Sequence, residues 1–191
     1  MVRFDGKTEI DKGHLLYALM PFNNCITFFP GALYQGKRLL AALESNTRDS
    51  HDLVKLEEEF FVFALDRAIF YLKEICKSHP GLCEHFLKRV DEEIGLDAIK
   101  DVRDMRTHSN NYTTGTGKNK GKCEEKFFAA PQNLPIKATV DATSSIMINN
   151  LYLIGGRVDF HKTMQLLETI SPEIEKTCIV KRLELLQKKR T

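Results

Sequence analysis

The sequence predicts a mainly α protein: an up-and-down helical bundle with a small β-hairpin inserted before the C-terminal helices. Three observations predict it. The stretch "SHDLVKLEEEFFVFALDRAIFYLKEICKSH" sets apolar residues in steps of three and four, the period of a helix with one buried face. Two shorter stretches of the same period follow, each closed by a helix-stop signal. Further on, β-branched and apolar residues flank Asn149-Asn150, a turn signal.

At 191 residues the chain is most economically one domain, long enough to bury a core. Within 1–191, residues 30–113 read as bundle helices, 114–158 as loop and β-hairpin, and 159–190 as C-terminal helices. The first apolar stretch, "GHLLYALMPFNNCITFF", is broken by Pro21 and two asparagines, which predicts a short helix to about Leu19 and then an irregular segment. "ALYQGKRLLAALESN" spaces Leu33, Leu39, Leu40 and Leu43 for a helix, with Gly36 a mild weakness.

In the long stretch, Leu53, Leu56, Phe60, Phe61, Ala64, Leu65, Ala68, Ile69, Leu72 and Ile75 form the expected inward stripe. Ser50 is a candidate N-cap, and Pro80-Gly81 ends the element. "LCEHFLKRVDEEIG" reads as a short helix stopped by Gly95. "LDAIKDVRDMRTHSNNY" then turns Leu96, Ile99, Val102 and Met105 inward, which puts Arg103 mid-helix and His108 in the last turn. Residues 115–135 hold glycines, prolines and little periodicity, the pattern of a loop. The hairpin that follows is expected to end at Gly155-Gly156. "DFHKTMQLLETI" and "SPEIEKTCIVKRLELLQ" read as two helices separated by Ser171 as cap and Pro172 at a first helical position.

Net charge is only +2, so nothing global announces a nucleic-acid partner. The charge is segregated, however. Residues 100–126 carry a net +3 and 181–190 a net +4, while 52–74 carry a net −3. Such segregation can steer a phosphate-rich ligand, or it can reflect solvated helix faces and a tail. Five cysteines without a CxxC pair, no signal-like N-terminus and no membrane-length apolar run predict a reduced, cytoplasmic setting and no membrane partner.

Two candidate sites fail on spacing. "TTGTGKNKGK" is not a phosphate loop, because Gly115 lies six residues before Gly121-Lys122 and Cys123 stands where Ser or Thr is required. "CKSHPGLCEH" offers Cys76, His79, Cys83 and His85, yet C-x2-H-x3-C-x-H matches no standard zinc framework, so no metal and no cofactor are assigned.

Arg103 and His108 remain. Metal-free cleavage of RNA needs a group that moves the 2′-hydroxyl proton and a cation that stabilises the crowded phosphorane. An imidazole and a guanidinium supply those two functions. Asp104 can orient a partner, Arg106 and Tyr112 add phosphate or base contacts, and Lys118, Lys120 and Lys122 give a basic loop for the RNA backbone. At about 100° per residue, positions five apart diverge by roughly 140° around a helix. A site built from two copies of this helix at a dimer interface removes that mismatch. The bland alternative pairs Arg103 at the surface and leaves His108 as a favourable charge at a helix C-terminus.

The combination "DAIKDVRDMRTHSNNY", a loop, then "KATVDATSSIMINNLYLIGGRVDF" resembles the HEPN superfamily, whose R-x4-6-H motif lies near the end of a helix in an up-and-down bundle. Here the motif reads Arg103-Asp104-Met105-Arg106-Thr107-His108, and the resemblance covers roughly residues 35–170 in element order. It implies a four-helix bundle, usually dimeric, with facing motifs. Many members are metal-independent endoribonucleases of toxin–antitoxin or defence systems; others are inactive binding modules. Carried over, Arg103 and His108 would be catalytic and Asp104 the accompanying polar residue, with RNA, a second copy, and an antitoxin or other protein as expected partners. Asn110 stands where some toxin members carry a modifiable tyrosine, and Tyr112 comes two places later. The rival expectation is a non-catalytic helical interaction or dimerisation module. A small-molecule pocket in the bundle core is a third, with no specific residues to support it.

Overall fold

The computed structural model describes residues 6–45, 50–107, 124–129, 135–140, 145–148 and 151–188. It is mainly α, as expected. The helices are α1 (Gly6–Glu44), α2 (Ser50–Ser78), α3 (Glu84–Glu93), α4 (Leu96–Thr107) and α5 (Phe160–Lys188). Between α4 and α5 lie the strands β1 (Glu124–Ala129), β2 (Pro135–Val140), β3 (Ile146–Ile148), β4 (Leu151–Ile154) and β5 (Val158–Asp159). Among the described residues no helix is long and apolar enough to cross a membrane.

Two expected breaks are absent. α1 runs through Pro21 and Pro30, and α5 runs through Pro172, where the sequence predicted an irregular segment and two separate helices. A proline removes one backbone bond and leaves the carbonyl four residues earlier without its donor. In α1 the buried stripe Phe22, Cys25, Phe29, Ala32, Gly36 and Leu39 keeps its three–four spacing past both prolines. In α5 the stripe Phe160, Thr163, Met164, Leu167, Ile170, Ile174 and Cys178 does the same. Pro172 and the carbonyl-bearing Glu168 are both exposed, so water can satisfy the orphaned acceptor. Packing of a continuous stripe outweighs the lost hydrogen bond.

Helix ends follow the sequence more closely. Asp159 caps α5: its Oδ1 accepts the Lys162 amide at 3.0 Å, three residues into the helix. Glu84 bends back to accept the amides of Gly81 and Cys83, which lowers its pKa. Gly81 and Gly95 take φ of 87° and 89°, the left-handed conformation that closes α2 and α3.

The sheet region departs from expectation in two respects. β3 and β4 form the hairpin expected around Asn149-Asn150, with Ile148 opposite Leu151. Gly155 and Gly156 do not end it; both at positive φ, they turn the chain so that β5 adds to β4. Residues 124–129, expected as loop, are strand β1, which pairs antiparallel with β2 from Glu124–Val140 to Ala129–Pro135. "EEKFFA" does not alternate polar with apolar, so no period-two signal marked it.

The core lies where α1, α2 and α5 meet. Phe61 of α2 and Phe160 of α5 pack edge to face at 5.4 Å, and Tyr152 of β4 does the same against Phe160 at 6.0 Å. Ile99 and Val102 of α4 turn inward as expected. Three residues of the expected α2 stripe do not: Leu53, Leu56 and Phe60 are exposed, and Glu57 and Glu58 are buried in their place. Gly36, expected as a mild weakness, proves a packing position. A Cβ there would collide with the thioether of Met164 and come within 3.1 Å of the Phe61 ring. Gly36→Val should therefore lower stability by about 1–3 kcal/mol through overpacking. Adding Met164→Ala should recover part of that loss in urea denaturation. Equal stability of Gly36→Val and wild type would contradict the close approach of α1 and α5.

Candidate functional site

Arg103 and Arg106, three residues apart on α4, share the face that packs on α2. Opposite them α2 presents the adjacent Glu58 and Glu59, with Asp66 seven to eight residues further on, two turns along the same side of the helix. The negative segment 52–74 and the positive segment 100–126 thus meet inside the molecule, at least through these residues. Part of the charge segregation in the sequence is internal neutralisation.

Arg106 is the inner half of this seam. Its side chain is only 7% exposed. Its guanidinium donates to Glu58, to Glu59 at 3.2 Å and to the Ser145 hydroxyl at 3.3 Å. The Tyr152 hydroxyl donates to the other oxygen of Glu58. One carboxylate therefore joins α2, α4 and β4. Burial and the Glu58 carboxylate together push the Tyr152 hydroxyl above its ordinary range. This placement revises the expected role of Arg106 as an RNA contact, since its donors face inward.

Arg103 is the outer half, 36% exposed. Its Nε lies 2.8 Å from Asp104 Oδ1 and 3.7 Å from Asp66 Oδ1. Neither contact has hydrogen-bond geometry, so both are ion pairs. Nε itself is buried without a hydrogen-bond partner while the side chain as a whole stays partly exposed, so a phosphate oxygen would have to be met by the terminal nitrogens. Burial raises the Asp66 pKa, and the Arg103 charge opposes that rise without cancelling it.

Glu57, the neighbour of Glu58, points the other way around α2 and pairs with Arg38 of α1 at 2.5 Å. The two adjacent buried glutamates thus tie α2 to α1 on one side and to α4 on the other. Sequence reasoning missed Glu57, Glu58, Asp66, Ser145 and Tyr152. The acids at 58, 59 and 66 on one predicted helix and the bases at 103 and 106 on another were the available signal.

Of the remaining expected site residues, Asp104 forms the ion pair with Arg103 described above, while His108, Tyr112, Lys118, Lys120 and Lys122 lie outside the described residues. Cys76, His79, Cys83 and His85 diverge. His79 sits beside the Ser78 hydroxyl and edge-on to Phe22, and His85 lies against Phe86. Cys83 is fully buried against Cys178, which in turn meets Cys25. Hydrogen bonding to Cys25 and burial push the Cys178 thiol up to about 12, and burial pushes Cys76 up to about 11. Such thiols behave as small core hydrophobes. Among the described residues no group of three or more metal-ligating side chains is arranged to hold an ion.

No family model matches this chain, and no curated protein or solved structure matches it.

The raised Asp66 pKa has a definite sign. A carboxyl whose folded pKa exceeds its ordinary value of 3.8 contributes stability that is complete below that value and lost as pH rises through the folded pKa. Arg103→Ala removes the opposing charge, so Asp66 should titrate at still higher pH. Carboxyl-carbon NMR titration of wild type and variant measures both values. An Asp66 pKa at or below the ordinary value in wild type, or unchanged in the variant, would contradict the geometry.

Proposed function

We propose that the C-terminal end of α4 is an RNA-binding site of HEPN-like character and acts as a metal-independent endoribonuclease centre. The observation that carries this reading is Arg103: a partly exposed side chain whose Nε lies against Asp66 and Asp104, five residues before His108. In this reading Arg103 clamps the scissile phosphate and stabilises the phosphorane, and His108 removes the 2′-hydroxyl proton and protonates the leaving oxygen. Asp104 positions Arg103. Arg106 is a positioning residue that fixes α4 on α2. Tyr112 stacks on or bonds to a base, and Lys118, Lys120 and Lys122 contact the RNA backbone without sequence preference.

The reading includes a homodimer in which two α4 ends contribute to one site, and an antitoxin or other protein partner that restrains it. A reducing, cytoplasmic setting accords with the free thiols of Cys25, Cys76, Cys83 and Cys178. The rival reading, a non-catalytic interaction module, draws on a separate observation: exposed apolar side chains along α2.

Purified protein incubated with mixed RNA in EDTA separates the two. Wild type should cleave, and His108→Ala and Arg103→Ala should each lose about 10²-fold or more in rate. Replacing Lys118, Lys120 and Lys122 together by alanine should weaken binding and reduce its salt dependence, with cleavage preference unchanged. Identical behaviour of wild type and both point variants would leave the interaction module as the better reading.

A further inference from the structure

α2 carries a second apolar stripe on its outer side. Leu53, Leu56, Phe60, Phe63 and Phe70 are 42–52% exposed. With Arg67 they fall at intervals of three, four, three, four and three, the a/d spacing of a heptad seam. Arg67 lies over the rings of Phe63 and Phe70 at 5.4 and 6.0 Å, so its stem and charge belong to the same strip. A 3.5-residue repeat drifts about 20° per heptad on a straight helix, which suits a second helix wrapped left-handedly against it.

We propose that this seam pairs with the α2 seam of a second copy of the chain, the two helices running antiparallel. Three features select that occupant. The interval pattern reads the same from either end, so a twofold axis near its middle sets Leu53 against Phe70, Leu56 against Arg67 and Phe60 against Phe63 of the other copy. A parallel pair would stack Arg67 on its own equivalent in one layer; the antiparallel pair lays each Arg67 stem on Leu56 and its charge one turn from Glu59. The area also suffices. At roughly 200 Å² per side chain, half-exposed, the five apolar residues offer about 500 Å² per copy. With the Arg67 stem and the rim, two copies reach about 1,200 Å², the lower bound of specific interfaces. The seam includes neither Arg103 nor His108 and is independent of what α4 binds.

Sedimentation equilibrium across a concentration series tests it. Wild type should be a dimer, and Leu56→Glu with Phe60→Glu should raise its dissociation constant by about 100-fold or more. Leu16→Glu, at a 69% exposed position on α1, should leave it dimeric, and circular dichroism should show all variants equally helical. Arg103→Ala and His108→Ala should also stay dimeric, so loss of cleavage and loss of pairing are read separately. For direction, Phe60→Cys mixed with Phe63→Cys should give a disulfide between the two variants under oxidised glutathione, beyond that of either alone. Three results would overturn the proposal: a wild-type monomer up to about 100 µM, a dimer untouched by the two glutamates, or efficient self-crosslinking of Phe60→Cys alone.

Discussion

The arrangement of this protein around α4 depends on one buried carboxylate. Glu58 is 5% exposed and holds the Arg106 guanidinium and the Tyr152 hydroxyl at once. A buried charge is tolerated only when paired and hydrogen-bonded, and here each partner comes from a different element. Removing either partner strands the rest in a poorly solvated place. The network therefore sets where α4 lies along α2, and with it where Arg103 emerges. Its neighbour Glu57 performs the same service toward α1 through Arg38.

From that constraint follows a division of labour between two arginines that look alike in sequence. Arg106 is buried and committed to Glu58, Glu59 and Ser145. Arg103, one turn earlier, is flanked by Asp66 and Asp104 and still reaches solvent. Of the two, only Arg103 keeps a partly exposed side chain. Part of the charge of a positive segment is thus not surface charge: Arg103 and Arg106 face carboxylates that lie some forty residues away in sequence.

The legible parts of the fold were those that local chemistry decides. Apolar periodicity marked α2, the glycines at 81 and 95 marked helix ends, and Asn149-Asn150 marked a hairpin. Proline rules misled at Pro21 and Pro172, because they weigh one hydrogen bond and not the stripe that continues past it. The strand at 124–129 lacked alternation and left no periodic trace. Periodicity also could not say which of two apolar stripes on α2 faces the core: Leu53, Leu56 and Phe60 belong to the outer one. In the site, Arg103 and Asp104 were visible as chemistry-bearing residues. Glu58 and Tyr152 were not, since a buried carboxylate is recognisable only once its distant partners are known.

The most direct measurement is a double-mutant cycle between Glu58 and Arg106, with Glu58→Ala, Arg106→Ala and the double variant followed by urea denaturation. Each single change should lose about 3–5 kcal/mol, because it strands a buried charge. The double variant should lose far less than the two together, with a coupling energy of about 2 kcal/mol or more. Losses that simply add, within about 0.5 kcal/mol, would mean that this pair does not fix α4 and that the placement of Arg103 has another cause.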